Sequence, residues 1–403
     1  MTKFMLLWLW VTARLKVSYW HLHSMNNVFA VKKLILILFA IILSACGGSG
    51  SSPTLPTPTP TPTPTGCSVT VTTGPFALAW PAQSWEFRSP ASQGMCPDGI
   101  SDAMTYAFTS GNDTGAVLVI RNGYIVAEEY SSDRMWSSLV TSWSVAKSFT
   151  SALVGRAIDD GYIQNLEQSV SDFIPSWQDS QKADITLDHL MTISTALELI
   201  DGSVLYNTED QLQISIDREL IGTPGEKLYN YSNADVMLAG EVIKVATGVK
   251  ASTYLDNVLN TDLQASTFEW WTDSKDHDLT YCCLDGIPRD FARFGLLYSR
   301  EGQWDGSTIV SKEWVETSTA PALSNTYGYY WWPAGDGFTA LGLHDQIVAV
   351  FPTDDLIVLR FGRYTRLGDG STVRTGNNSH STVEPENFDT GTFLNLIYTA
   401  FED

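Results

Sequence analysis

Ser144 and Lys147 stand three residues apart in TSWSVAKSFTSALVGRAIDDG, Thr141 to Gly161. On a helix such a pair shares a face, so the amine reaches the hydroxyl. A free serine hydroxyl is a weak nucleophile and needs an adjacent base. A lysine serves as that base only when burial or a neighbouring cation lowers its pKa. The apolar residues around Lys147 supply the burial, and a helix N-terminus offers N–H groups where an oxyanion develops. The chemistry this implies is acyl transfer through serine. The same spacing also fits a buried helix with a surface lysine, so other residues must decide. Tyr231 and Asn233, in LYNYSNAD, are the next candidates. A tyrosine beside a lysine can shuttle protons, because a cation favours phenolate. An asparagine there can bind the lysine and a substrate carbonyl. Ser232 or Asn233 equally suits the N-cap of the helix that follows.

These residues need elements to position them. Val145, Phe149, Leu153, Val154, Ala157 and Ile158 recur at helical spacing, and Gly161 suits the position after a helix end. A helix is expected over Asp98–Phe108, capped by Asp98 or Ser101. AVLVIR (Ala116–Arg121) and YIVAEEY (Tyr124–Tyr130) flank Asn122-Gly123, a hairpin signal. From about 174 to about 288 the chain reads as mainly helical. It includes helices at Asn233–Ala246 and Tyr254–Leu263, and an irregular stretch over Gln264–Gly286. Pro288 opens another helix. Strands are expected at Tyr327–Pro333, Gln346–Phe351 and Leu356–Phe361, and a final helix over Asn387–Phe401. Strands at both ends with helices between imply an α+β fold. It has one antiparallel sheet built from both chain ends, a helical insert beside it, and a cleft between the two.

The 403 residues are 44% hydrophobic and carry a net charge of −21, which disfavours nucleic acid as a partner. MNNVFAVKKLILILFAIILSAC, Met25 to Cys46, has a basic start, an apolar run and small residues before the cysteine. Met25 is a plausible true start. The end of the run resembles a bacterial lipobox, which implies cleavage before Cys46, lipidation of its thiol, export and membrane attachment. Residues 1–45 are thus expected to be a signal region. Residues 46–66 read as an anchor and a stiff Thr-Pro tether, and 67–403 as the hydrolase domain. Cys67 and Cys96 are disulfide candidates in an oxidising compartment. Cys282 and Cys283, being adjacent, form a vicinal bridge or stay reduced.

S-x-x-K followed by Y-x-N, with WSVAKSFTSALVGRAIDDG, PGEKLYNYSNAD and RDFARFGLLYSREGQWDG, resembles the serine β-lactamase-like superfamily. The likeness is to the branch of class C β-lactamases, DD-peptidases and esterases, and within it to the 6-aminohexanoate-dimer hydrolase group. It implies a β-lactamase/transpeptidase-like fold. It makes Ser144 the acylated nucleophile, Lys147 its base, Tyr231 the proton shuttle and Asn233 an orienting residue. The family's third motif, K-T-G-like, aligns with Leu343-His344-Asp345 ahead of Gln346. Leucine replaces the lysine that binds a substrate carboxylate, and Asp345 stands where relatives usually keep glycine. His344, Asp345 and Gln346 are accordingly candidates for substrate binding, with a backbone N–H near Gln346 completing an oxyanion hole. Ala196 is another position where relatives often have glycine.

No G-x-S-x-G elbow, H-E-x-x-H pair or glycine-rich phosphate loop occurs. Asp276-His277-Asp278 reads as a polar loop, so no metal and no cofactor is expected. The expected function is an exported serine hydrolase acting on a small-molecule amide or ester. The alternatives are a non-catalytic penicillin-recognition module and a true β-lactamase or DD-peptidase. Oligomeric state is not legible.

Overall fold

The computed structural model describes residues 67–81, 84–226, 231–366 and 381–401. The signal region, Cys46 and the Thr-Pro tether lie outside the described residues. Gly66–Asp403 forms one compact unit.

A six-stranded antiparallel sheet is its frame. In chain order the strands are β1 (Thr114–Arg121), β2 (Tyr124–Tyr130), β3 (Trp332–Ala334), β4 (Gly337–Gly342), β5 (Gln346–Phe351) and β6 (Leu356–Gly362). Their spatial order is β2-β1-β6-β5-β4-β3. The early hairpin therefore meets the late strands at the β1–β6 pair, with Leu118 opposite Leu359. At the β1–β2 turn Asn122 and Gly123 take φ of 55° and 82°, as a type I′ turn demands.

Side-chain alternation gives the sheet two buried faces. Val117, Val119, Ile347, Ala349 and Val358 meet helices Pro97–Ala107 and Thr390–Thr399 through Ile100, Met104, Phe393 and Ile397. Leu118, Ile120, Val348, Val350 and Ile357 face the larger core. That core holds α1 (Ala146–Asp159) and α3 (Pro288–Ser299), joined by Phe149 stacked on Phe294 at 3.7 Å. Residues 146–155 of α1 are buried all round, which makes it a central helix rather than a surface one. Gly155 lets the indole of Trp314 lie against it, where a Cβ would come within 2.3 Å.

The insert contributes short helices at Leu187–Met191, Gly202–Asn207 and Gln211–Ile216, then the long α2 (Asn233–Thr247). Several sequence expectations need correction. The Tyr327–Pro333 stretch is strand only from Trp332, because Tyr330 turns the backbone to φ 67°. β4, whose first and last residues are glycine, is not among the strands expected from the sequence. Helix Pro97–Ala107 starts on Cys96 with Pro at its first position, and neither Asp98 nor Ser101 caps it. Tyr254–Leu263 is helical but contains a π turn at Asp256–Asn260. The irregular stretch ends in a short strand, Leu284–Gly286, that pairs with Val140–Thr141.

Asp285 in that strand is fully buried and accepts from the Tyr364 hydroxyl at 2.8 Å. Burial pushes its carboxyl up to about 6, from an ordinary value of 3.8. Between those pH values the unfolded chain has lost this proton and the folded chain keeps it. Stability therefore falls as pH rises through that window, by up to about 3 kcal/mol from this group. Asp285→Asn is expected to raise the thermal midpoint at pH 8, with the gain shrinking toward pH 4 in calorimetry.

Candidate active site

Ser144 lies in a 3-10 turn, Trp143–Val145, that leads directly into α1. The expected single helix is thus split, with the serine on its tighter entry. Trp143, just before it, has φ 44°. A non-glycine residue pays about 1–2 kcal/mol for that conformation, and such strain persists only where surrounding contacts over-determine it. From Val140 to Gly155 only Ser144 is not buried, so the turn presents one hydroxyl.

Lys147 lies one turn further and is 1% exposed. Its Nζ is 3.0 Å from Ser144 Oγ. It donates to Asn233 Oδ1 at 2.8 Å and to the Tyr281 carbonyl at 2.7 Å. Burial drives its pKa well below the usual lysine value. Asn233 reaches it from the first residue of α2, which Ser232 caps by accepting from Asp235 N at 3.2 Å. The alternative posed by the sequence resolves into a division of labour: the serine caps and the asparagine holds the lysine.

Tyr231 is partly buried, and its ring centroid is 4.7 Å from Lys147 Nζ. Burial raises the phenol's pKa, and the Ser144 contact offsets this only in part. The sequence led to the expectation of a cation favouring phenolate; the phenol's shift runs the other way, upward, with burial as its largest cause. Trp332 stacks on it at 6.1 Å and Tyr327 meets it edge-on at 5.9 Å. On the other side Trp143 meets Tyr206 at 6.3 Å, and Tyr206 lies 5.6 Å from Tyr281.

The third motif is placed differently from expectation. β4 lies against the turn that carries Ser144 so closely that a Cβ at Gly342 would sit 2.3 Å from the Ser142 carbonyl oxygen. The hairpin Leu343-His344-Asp345 follows, with His344 and Asp345 at φ 61° and 57°. Left-handed backbone at Asp345 explains why glycine suits this position, and aspartate tolerates it. Its side chain accepts from Thr390 Oγ1 at 2.9 Å, so it is turned onto the C-terminal helix. Gln346 is fully buried. Its amide donates to the carbonyls of Leu343 and His344 at 3.0 Å each and accepts from Gly362 N at 2.9 Å. Arg360 Nη1 also binds the His344 carbonyl, at 2.7 Å. These two side chains brace the hairpin, and neither Asp345 nor Gln346 offers its side chain to a substrate. His344 Nδ1 lies 2.6 Å from Thr382 Oγ1, which accepts from Trp143 Nε1 at 2.8 Å. The imidazole thus supports Trp143, and burial lowers its pKa. Ala196 also has positive φ, 57°, which accounts for glycine there in relatives.

Asp210, Asp273 and His277 bring possible metal-ligand atoms together. Asp273, however, already accepts from the backbone of Gln211, Lys275 and His277 at 2.9 Å each, and from the His277 ring at 3.0 Å. The Asp276–Asp278 loop is tied down by Lys250 and by Ser252 N.

The β-lactamase family profile matches residues 106–362. This chain belongs to the β-lactamase family. As a member of it, the protein is a serine hydrolase. It is 24% identical over 289 residues to a 6-aminohexanoate-dimer hydrolase of Paenarthrobacter ureafaciens, covering 62% of this chain and 73% of that one. Among solved structures, a family VIII carboxylesterase superposes with TM-score 0.56 at 15% identity, over 75% of this chain and 97% of that one. A class C β-lactamase from Rhodobacter sphaeroides gives 0.53 at 17%, over 68% and 96%. At these identities the structural likeness concerns the fold.

Sequence reasoning missed the Tyr281 carbonyl, because a backbone oxygen leaves no residue-type signal. It also missed Arg218, which pairs with Asp235 at 2.7 Å beneath the Ser232 cap.

Proposed function

We propose that this β-lactamase-family protein is an exported serine hydrolase that cleaves a small uncharged ester or amide through an acyl-enzyme on Ser144. The observation that carries the reading is the set of three contacts around Lys147 Nζ. A neutral amine has two N–H bonds and one lone pair. Asn233 Oδ1 and the Tyr281 carbonyl can only accept, so they take both N–H bonds. The lone pair is left for the proton of Ser144.

In the reaction, Lys147 takes that proton while Ser144 Oγ attacks the substrate carbonyl. In this reading the backbone N–H of Ser144 and one near Gln346 receive the oxyanion. The leaving group departs with a proton relayed through the Tyr231 hydroxyl, leaving the acylated serine. Water then adds to the acyl carbonyl by the reverse proton path, which frees the acid and restores Ser144. Leu343, 52% exposed, has no charge with which to hold a carboxylate. Because Asp345 faces away, the case against carboxylate substrates rests on Leu343 and on the aromatic walls alone. A binding-only module gains nothing from burying a lysine among neutral acceptors.

Export is supported by the signal-like segment ending at Cys46. The Cys67–Cys96 and Cys282–Cys283 disulfides fit an oxidising compartment. A membrane-attached, periplasm-facing or surface location follows from lipidation of Cys46.

A fluorophosphonate probe tests the reading. The expected result is one adduct, mapped to Ser144 by mass and absent from Ser144→Ala. No adduct, together with no hydrolysis across a panel of p-nitrophenyl esters, would defeat it. Rapid turnover of a chromogenic cephalosporin would overturn the argument against carboxylates.

A further inference from the structure

Cys282 and Cys283 are neighbours in sequence, are disulfide-bonded to each other, and are 0% and 1% exposed. We propose that this bond is a positioning element of the active site, aiming the Tyr281 carbonyl at Lys147 and holding the turn that carries Ser144. The proposal rests on the serine-hydrolase reading.

Every residue of the segment around the bond is engaged, and most contacts lead to the catalytic turn. The Tyr281 carbonyl accepts from Lys147 Nζ at 2.7 Å. Cys283 N donates to the Trp143 carbonyl at 3.3 Å. Leu284 N donates to Ser142 Oγ at 2.9 Å, and Ser142 N donates back to the Leu284 carbonyl at 3.0 Å. Behind the segment, Trp270 Nε1 donates to the Cys282 carbonyl and Trp271 N to the Cys283 carbonyl, each at 3.0 Å. The turn is thus gripped at both residues preceding the nucleophile, and the base is gripped from the same short stretch.

Two non-glycine residues, Trp143 at φ 44° and Cys283 at φ 66°, meet through the Cys283 N–H bond. Each is in a conformation that needs external support. A bond between adjacent cysteines closes a small ring through the peptide linking them, so their backbone torsions no longer vary independently. That ring is a covalent support for Cys283 and, through it, for Trp143. Two free thiols would need van der Waals separation instead of a bond. The segment would open, and either the Tyr281 carbonyl or the Trp143 contact would move. Lys147 could then turn its lone pair away from Ser144.

The test compares the wild type with Cys282→Ser/Cys283→Ser, using a p-nitrophenyl ester that the wild type hydrolyses. The control is Cys67→Ser/Cys96→Ser, which removes the disulfide of the N-terminal arm. Small misplacement of a catalytic group costs on the order of 10–100-fold in rate, so kcat is expected to fall by about that factor. KM should stay within about threefold, since the aromatic walls are untouched. The acid limb of the kcat profile is expected to move to higher pH, because a loosened segment admits water to the Lys147 amine. The control should lose thermal stability and keep both kcat and the pH limb. If the serine pair does not fold, Cys282→Ala/Cys283→Gly keeps left-handed backbone accessible without the bond, and the same losses are expected. Wild-type kcat and pH limb in either folded variant would overturn the proposal. So would alkylation of both cysteines in denatured, unreduced wild type. A wild type that neither labels nor hydrolyses defeats the hydrolase reading and this proposal together, whereas an active wild type with an unaffected variant defeats this proposal alone.

Discussion

Lys147→Met is expected to cut kcat by about two to four orders of magnitude, as loss of a positioned acid–base group does, while the protein becomes more stable. Methionine fills a similar volume but has no lone pair to take the Ser144 proton, and substrate still meets the same walls, so KM should change little. The stability effect has the opposite sign. Burial holds the folded-state pKa of Lys147 well below that of a free lysine. Between the two values the unfolded chain binds a proton that the folded chain refuses. Stability therefore rises with pH up to the free-lysine value, and at neutral pH the lysine is a net cost. Removing it should raise the thermal midpoint at pH 7, with a smaller gain near pH 10. In the wild type the same lowered pKa is expected to set the acid limb of activity, since only the neutral amine can act as the proposed base. Parallel kinetics and calorimetry check this. A variant that loses activity and stability together would mean that Lys147 serves the fold.

Arg218→Ala is expected to destabilise the protein by about 3–5 kcal/mol, the usual result of stripping one partner from a buried ion pair. Arg218 and Asp235 are 2.7 Å apart, with side chains 2% and 3% exposed. Asp235 also accepts from Thr195 Oγ1 at 3.0 Å, and Arg218 Nη1 lies 3.4 Å from Ser232 Oγ. Without the guanidinium, Asp235 is a charge in an apolar interior at the first turn of α2. Urea titration should show a lower midpoint with an unchanged slope. Arg218→Met/Asp235→Leu should recover much of the loss, because replacing both charges with apolar groups removes the desolvation penalty. The pair lies beneath Tyr231-Ser232-Asn233, so the single variant should also lose activity by loosening the residues that meet Lys147. Unchanged stability in Arg218→Ala would show that water reaches Asp235.

Much of this site is local chemistry, and local chemistry is legible in residue order. Ser144 and Lys147 share a helical face at their spacing. Tyr231 and Asn233 flank a capping serine at a helix start, and Asn122-Gly123 demands a tight hairpin. The same reasoning failed where a side chain's direction depends on what packs across from it. His344, Asp345 and Gln346 are consecutive, yet they point to Thr382, Thr390 and the hairpin's own carbonyls. Nothing in their order encodes that, because two left-handed residues in the turn set their directions.

The sequence by itself determined which groups are available: a hydroxyl, an amine, a phenol and an amide, with apolar periodicity enough to bury the amine. The tertiary structure alone decided how they are used. It brought the Tyr281 carbonyl to Lys147 across 134 residues of chain, so that two acceptors orient one lone pair. It also lowered the lysine's pKa by burying it and raised that of the Tyr231 phenol by the same means. The physical reason is that pKa and lone-pair direction belong to an environment, and that environment is assembled from distant segments only when the sheet closes.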